Sequence, residues 1–326
     1  MKKITVSAPG KLMLFGEHAV LHGHPCLVTA VNRRMYITVE LLDEYQFQLD
    51  AKDVKIKNYK KHLSQLGKGE IPGNAKFAEI AVKNFLDDKN IGIKITTHSE
   101  FSSLLGFGTS SAVTVCVIKA LSELFGLNLN NKEIFDLSYK TVLEIQGKGS
   151  GFDIATALYG GTLYFEAKGK IIHPLTINHL PLIAGYSGSK ADTVSLINHV
   201  NNKFANNNKR LRDIYAEIEG IVKKAKQEIE NANWKIVGEL MNSNQKLLIE
   251  LGVSTEKLDN MINASLDAGV YGAKISGAGG GDCMIALVPE DHIKSVEKAV
   301  LKVGGKILLA ETNAQGVSIE NQKINI

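Results

Sequence analysis

The stretch KISGAGGGDC, Lys274–Cys283, places four glycines and an alanine within positions 277–282. Glycine loses more conformational entropy on folding than any other residue, so such a cluster points to a place where backbone must approach something closely. It lies between a helical pattern and the apolar run MIALV. Three more glycine-rich segments share the chain: SAPGKLMLFGEHAVLHGHP (7–25), LLGFGTSSAV (104–113) and GKGSGFDIATALYGG (147–161). A fold for this sequence has to accommodate all four.

The second segment has the clearest physics. Gly106 and Gly108 permit a tight turn, and Thr109, Ser110 and Ser111 then open an apolar helix. A helix N-terminus offers free N–H donors and about half a positive charge, which attracts phosphate. Its hydroxyls add donors to phosphate oxygens, or an oxygen ligand for Mg²⁺. A plain Ser/Thr cap after a glycine turn explains this loop alone equally well. There is no GxxxxGK[ST] run and no protein-kinase HRD or DFG set. In the third segment Asp153 stands at the start of a helical turn, where it reads either as a base for an alcohol proton or as an N-cap. Lys11 reads as a lysine in a glycine turn, ordinarily a solvated charge. Within about 4 Å of Asp153 it would favour the ionised carboxylate.

With 326 residues, 44% of them hydrophobic, the chain has material for one large domain or two ordinary ones. The net charge is only +4 and no Lys/Arg stripe occurs, which argues against nucleic acid. No stretch reaches the roughly 18–20 apolar residues of a membrane span. The N-terminus lacks the apolar run of a signal peptide. Three cysteines at irregular spacing, Cys26, Cys116 and Cys283, read as buried thiols of a cytoplasmic protein. Strands are expected at 3–8, 35–42, 91–97 and 284–289, with short ones across 162–187 and another at 306–312. Helices are expected at 75–87, 111–126, 130–147 and 291–304, and through most of 190–270. The charged stretch 211–232 reads as a helix with a solvated face, and 201–213 as an exposed loop or helix end. The pattern turns mostly helical near 185, which sets a boundary between 1–185 and 186–326.

Taken together and in this order, APGK…GEHAV, GFGTSSA, GSGFDIA…YGG and SGAGGGDC resemble the GHMP kinase superfamily, across nearly the whole chain. Within it, GEHAV followed by HGHP is similar to the mevalonate kinase pattern. Sugar kinases of the superfamily usually carry a different first motif. The resemblance implies an α+β fold of two lobes, an ATP-binding N-terminal lobe and a helix-rich C-terminal lobe, with the active site in the cleft. It implies transfer of the ATP γ-phosphate to the alcohol of a small molecule, mevalonate, yielding 5-phosphomevalonate. By the same resemblance Lys11 and Asp153 are catalytic. Leu105, Gly106, Phe107, Gly108, Thr109, Ser110 and Ser111 wrap the triphosphate, and Ser110 and Glu144 hold Mg²⁺. Glu17, His18, Lys190, Thr193, Gly277, Ala278 and Gly279 serve the acceptor, with the turn 277–281 bracing the phosphate loop. Homodimers are frequent in the family.

The match has departures. Phe107 and Thr109 stand where the family has Leu and Ser, and the usual preceding proline is missing. Glu144 lies nearer Asp153 than the metal-binding glutamate does in animal enzymes. GGGDC and QGKGSGFDIA look more like phosphomevalonate kinase. That acceptor would need a second anion site, for which Arg33 and Arg34 are candidates, although plain exposure suits them better. His22 and His24 read as polar turn residues rather than metal ligands. Another small-molecule kinase of the superfamily, or a silent ligand sensor, are the remaining readings.

Overall fold

The first expected strand continues through its glycine turn. In the computed structural model, which describes residues 2–86, 91–102, 105–177 and 179–320, β1 spans Lys3–Phe15 and pairs antiparallel with β2 (Cys26–Leu42). The register shifts between the pairs Pro9–Arg34 and Gly10–Val31. Proline cannot donate to a ladder, so a strand tolerates it at such an irregularity. A bulge also re-aims the side chains beyond it. Lys11 therefore sits on a strand, not in a loop, just past the point where the backbone is redirected.

Among the described residues β1, β2, β3 (Gln46–Ala51), β4 (Ile56–His62), β5 (Gly92–Ser99), β6 (Thr162–Glu166), β7 (Ile171–Pro174) and β12 (Ser318–Glu320) form one sheet. Its order is β12-β1-β2-β5-β3-β4, with β6 joined to the start of β2 and β7 beyond it. Only β3 and β5 run parallel within it. A second sheet, β11-β8-β10-β9, is antiparallel and consists of β8 (Leu182–Tyr186), β9 (Gly272–Ser276), β10 (Cys283–Leu287) and β11 (Lys306–Leu308). The expected boundary at 185/186 falls within β8, which is bonded wholly into the second sheet. The chain end returns to the first sheet through β12.

Helices α1 (Lys76–Leu86), α2 (Thr109–Leu124), α3 (Asn131–Gln146) and α4 (Phe152–Tyr159) accompany the first sheet. The expected end of α1 at residue 87, and Leu104 of the second glycine segment, lie outside the described residues. α2 and α4 lie on β1 and β2, while α1 and α3 pack against α2. α2 is enclosed on nearly every side, with Ala112, Val115, Cys116, Val117 and Ile118 fully buried. This matches its apolar sequence. α3 opens on a capping box, Asn130 accepting from Glu133 N–H and the Glu133 carboxylate from Asn130 N–H. α5 (Thr193–Lys203), α6 (Asn208–Glu230), α7 (Trp234–Leu251), α8 (Glu256–Asp267) and α9 (Ile293–Lys302) build the second lobe. The charged α6 buries Leu211, Ile214, Tyr215, Ile218, Val222, Ala225 and Ile229, one stripe at helical spacing.

Candidate functional site

The glycine cluster is the hairpin turn from β9 to β10. Gly277, Gly279 and Gly280 have φ of 100°, 82° and 69°, a region that L residues with side chains rarely adopt. A Cβ on Gly279 would lie 2.2 Å from the Val253 carbonyl oxygen, which already accepts the Gly280 N–H at 2.7 Å. These two glycines thus brace the chain just after α7, not the phosphate loop as expected. Contact with that loop comes from the residues after them. The Cys283 thiol donates to the Leu105 carbonyl, and Asp282 lies against Gly106, where a Cβ would come within 2.8 Å of Asp282 Oδ2. Asp282 holds φ 52° and accepts the Ala191 N–H at 3.0 Å. It thereby ties the phosphate loop to the segment that leads into α5. Burial raises its carboxyl above the usual range.

A cavity of about 740 Å³ lies between the lobes. At one end is the start of α2. Its first internal bond is Ala112 N–H to the Gly108 carbonyl, so the N–H groups of Thr109, Ser110 and Ser111 precede the ladder. Among the described residues the Thr109 and Ser110 hydroxyls make no hydrogen bond. Lys11 N–H donates to the Phe107 carbonyl at 3.0 Å, pinning this loop to β1. Gly108, with φ 78°, passes so near the catalytic candidates that a Cβ would stand 3.3 Å from both Asp153 Oδ1 and Lys11 Cγ.

Lys11 Nζ lies 3.3 Å from Asp153 Oδ1 and over the Phe152 ring. The geometry is that of an ion pair without a hydrogen bond, so Asp153 Oδ1 is a buried oxygen with an unused acceptor position. At the other end of the cavity Glu17 is 1% exposed and ion-paired with the fully buried Lys274. His18 is also buried, its Nε2 2.8 Å from the Ala278 carbonyl. Because a carbonyl only accepts, Nε2 carries the proton, and burial lowers the ring's pKa toward the neutral form. Lys190 and Thr193 line the rim as exposed residues beside α5.

Of the expected site residues, Lys11, Glu17, His18, Gly106–Ser111, Asp153, Lys190, Thr193, Gly277 and Ala278 line this one cavity. Leu105 and Gly279 stand behind its wall. Glu144 is not brought to it: α3 turns this side chain toward α1, where Lys83 and Asn84 bind both carboxylate oxygens. Arg33 and Arg34 are also elsewhere. Arg33 donates to the Leu309 carbonyl, and Arg34 binds Ser7, Gln315, Gly316 and Ser318, fastening the returning chain end. His24 pairs with Glu219 and His22 stacks on Tyr215, both on α6. Sequence reasoning missed Asp282 and Lys274. The usable signal was a charged residue at each end of the glycine stretch, one of them inside an otherwise apolar strand.

Residues 76–161 match the family model of the GHMP kinase N-terminal domain and 225–306 that of the C-terminal domain. Residues 1–41 match the galactokinase galactose-binding signature, so the first motif alone does not separate sugar from non-sugar kinases as expected. Sequence identity over the full length does. A curated mevalonate kinase of Pyrococcus furiosus is 36% identical, with 98% of each chain covered. The crystal structure of the Methanococcus jannaschii mevalonate kinase superposes with a TM-score of 0.81 at 30% identity, covering 95% of this chain and 98% of that one. A Listeria innocua protein with a TM-score of 0.88 at 24% identity, over 98% of this chain and all of that one, shares the fold. With both domain models matched and relatives of this identity aligned end to end, the chain belongs to the GHMP kinase family, among the mevalonate kinases.

Proposed function

We propose that this protein transfers the γ-phosphoryl group of ATP to the primary hydroxyl of mevalonate. The observation that carries the reading is the placement of an underbonded Asp153 oxygen, paired with Lys11, directly beside the open N-terminus of α2. The free N–H groups and the Thr109 and Ser110 hydroxyls receive the triphosphate. Asp153 Oδ1 accepts the proton of the acceptor hydroxyl as that oxygen bonds to the γ-phosphorus. The bond from phosphorus to the β,γ-bridging oxygen breaks and ADP leaves. Lys11 offsets the charge that develops between them. Such a transfer depends mainly on positioning and charge neutralisation.

The Ser110 hydroxyl suits a Mg²⁺ ion carried in with the nucleotide, since Mg²⁺ takes few protein ligands beside phosphates and water. Bound there, it would neutralise β- and γ-phosphate oxygens. Glu144 is not carried forward in that role. At the rim, Lys190 is a cation available to the mevalonate carboxylate. The arginines that were candidates for a phosphorylated acceptor, Arg33 and Arg34, are engaged elsewhere, which favours mevalonate over its 5-phosphate. Three buried, unpaired thiols fit a reducing compartment, and we place the protein in the cytoplasm. An ADP-release assay with mevalonate, 5-phosphomevalonate, galactose and homoserine tests the assignment. Turnover with mevalonate is expected, and turnover confined to another acceptor overturns it.

A further inference from the structure

One ion pair takes no part in the transfer just described, yet it is the more deeply buried of the two in the cleft. Lys274 and Glu17 are both 0% exposed at the side chain, and they come from different lobes. Lys274 lies on β9 and also donates to the Ile275 carbonyl at 2.5 Å. Glu17 follows β1. Burial lowers the lysine's pKa, and Glu17 offsets part of that effect. Taking two charges out of water costs several kcal/mol per ion, and apolar residues would often serve stability as well. Nor is the bond needed simply to join the lobes here. Ser276 Oγ already accepts from Met13 N–H and donates to the Met13 carbonyl, and His18 reaches Ala278.

The informative atom is Glu17 Oε2. Oε1 is held by Lys274, while Oε2 is buried without any hydrogen-bond partner, on a residue that lines the cavity. An unsatisfied carboxylate oxygen in such a site is expensive and calls for a donor. We propose that Lys274 is a positioning residue for the acceptor, holding Glu17 from across the cleft so that Oε2 takes the hydrogen bond of an acceptor hydroxyl. The inference rests on the reading of Glu17 as part of the acceptor pocket, and its test separates the two. The charged or titratable groups facing Glu17 are Lys274 on β9 and Cys26 on β2, with Lys11 on β1 and Asp153 on α4 further along and His18 next in the chain. With Lys274 gone, Oε1 loses the partner that fixes the carboxylate, and with it the aim of Oε2.

The experiment is a double-mutant cycle on the full chain with ATP and mevalonate, using Lys274→Met, Glu17→Gln and the double variant. Expected for Lys274→Met is a rise of about tenfold or more in the mevalonate KM. The ATP KM should stay within about twofold. The double variant should match Glu17→Gln, because a residue acting through another adds nothing once that other is removed. A folded Lys274→Met with an unchanged mevalonate KM, beside an impaired Glu17→Gln, overturns the role of Lys274 and leaves the acceptor reading intact. An unimpaired Glu17→Gln overturns both. If Lys274→Met does not fold, the double variant, which buries no charge, decides: equality with Glu17→Gln supports the proposal, and a further loss refutes it.

Discussion

Two lysine–carboxylate pairs lie in the same cleft and are built in opposite ways. Lys11 and Asp153 retain 12% and 34% exposure and meet as an ion pair without a hydrogen bond, whereas Lys274 and Glu17 are sealed and directly hydrogen-bonded, although each carboxylate keeps one oxygen without a partner. On the proposed reading, one pair is available to a reacting group and the other fixes geometry. A carboxylate that must take a proton has to be reachable and not already saturated. One that only orients a ligand gains from being locked. The same chemistry therefore does different work according to burial and to which oxygens remain free.

Asp153→Asn cuts deepest on the open side of that contrast. It should lower kcat by about three orders of magnitude, within the usual reach of general acid–base catalysis. Nucleotide affinity, read by titration with an ATP analogue, should change only a few-fold. Full activity in this variant would erase the distinction between the two pairs. Lys11→Met should follow, with a loss of about 3 kcal/mol of barrier stabilisation, on the order of a hundredfold in kcat. Its thermal midpoint should move less than that of Lys274→Met, which strands a buried carboxylate at a cost of about 3–5 kcal/mol. The reverse ranking of midpoints would assign the structural role to the wrong pair.

A third carboxylate, Asp282, sharpens the comparison because burial raises its pKa without a lysine in contact. The native state then holds this proton to higher pH than the unfolded chain does. Stability that it contributes below about pH 4, near the ordinary aspartate value, is lost as pH rises through the native pKa. Asp282→Asn should flatten that decline in denaturant midpoints measured between pH 4 and 7. A parallel, unflattened pair of curves would show that burial is not setting its titration. Least affected should be Glu144→Gln. Its pair with Lys83 is 36% and 40% exposed, and such pairs contribute about 1 kcal/mol or less. Its Mg²⁺ activation curve should overlay that of the parent protein, and a shifted midpoint would return Glu144 to the metal site.

What could be read from residue order was local. Helix α3 was legible because a capping box and a helical apolar stripe are short-range signals. The start of α2 was legible because glycines followed by hydroxyls mark a helix N-terminus. Lys11 was assigned to a turn because Pro9 and Gly10 break strand patterns locally, and only the pairing of β1 with β2 across a bulge overrides that. Likewise β3 and β4 were missed: β4 is polar at most positions, and β3 gains its place in the sheet by pairing with β5, more than forty residues on.

The sequence alone determined the number and order of glycine-rich loops, the phosphate-attracting helix start and Lys11 and Asp153 as separate candidates, since each depends on chemistry within a few residues. Tertiary structure alone decided that Glu144 faces α1, that Arg34 fastens the chain end and that Lys274 reaches Glu17 across 257 positions. The reason is physical. The work of a charged side chain depends on its burial and on the partner packing brings to it, and neither quantity is encoded by its neighbours in sequence.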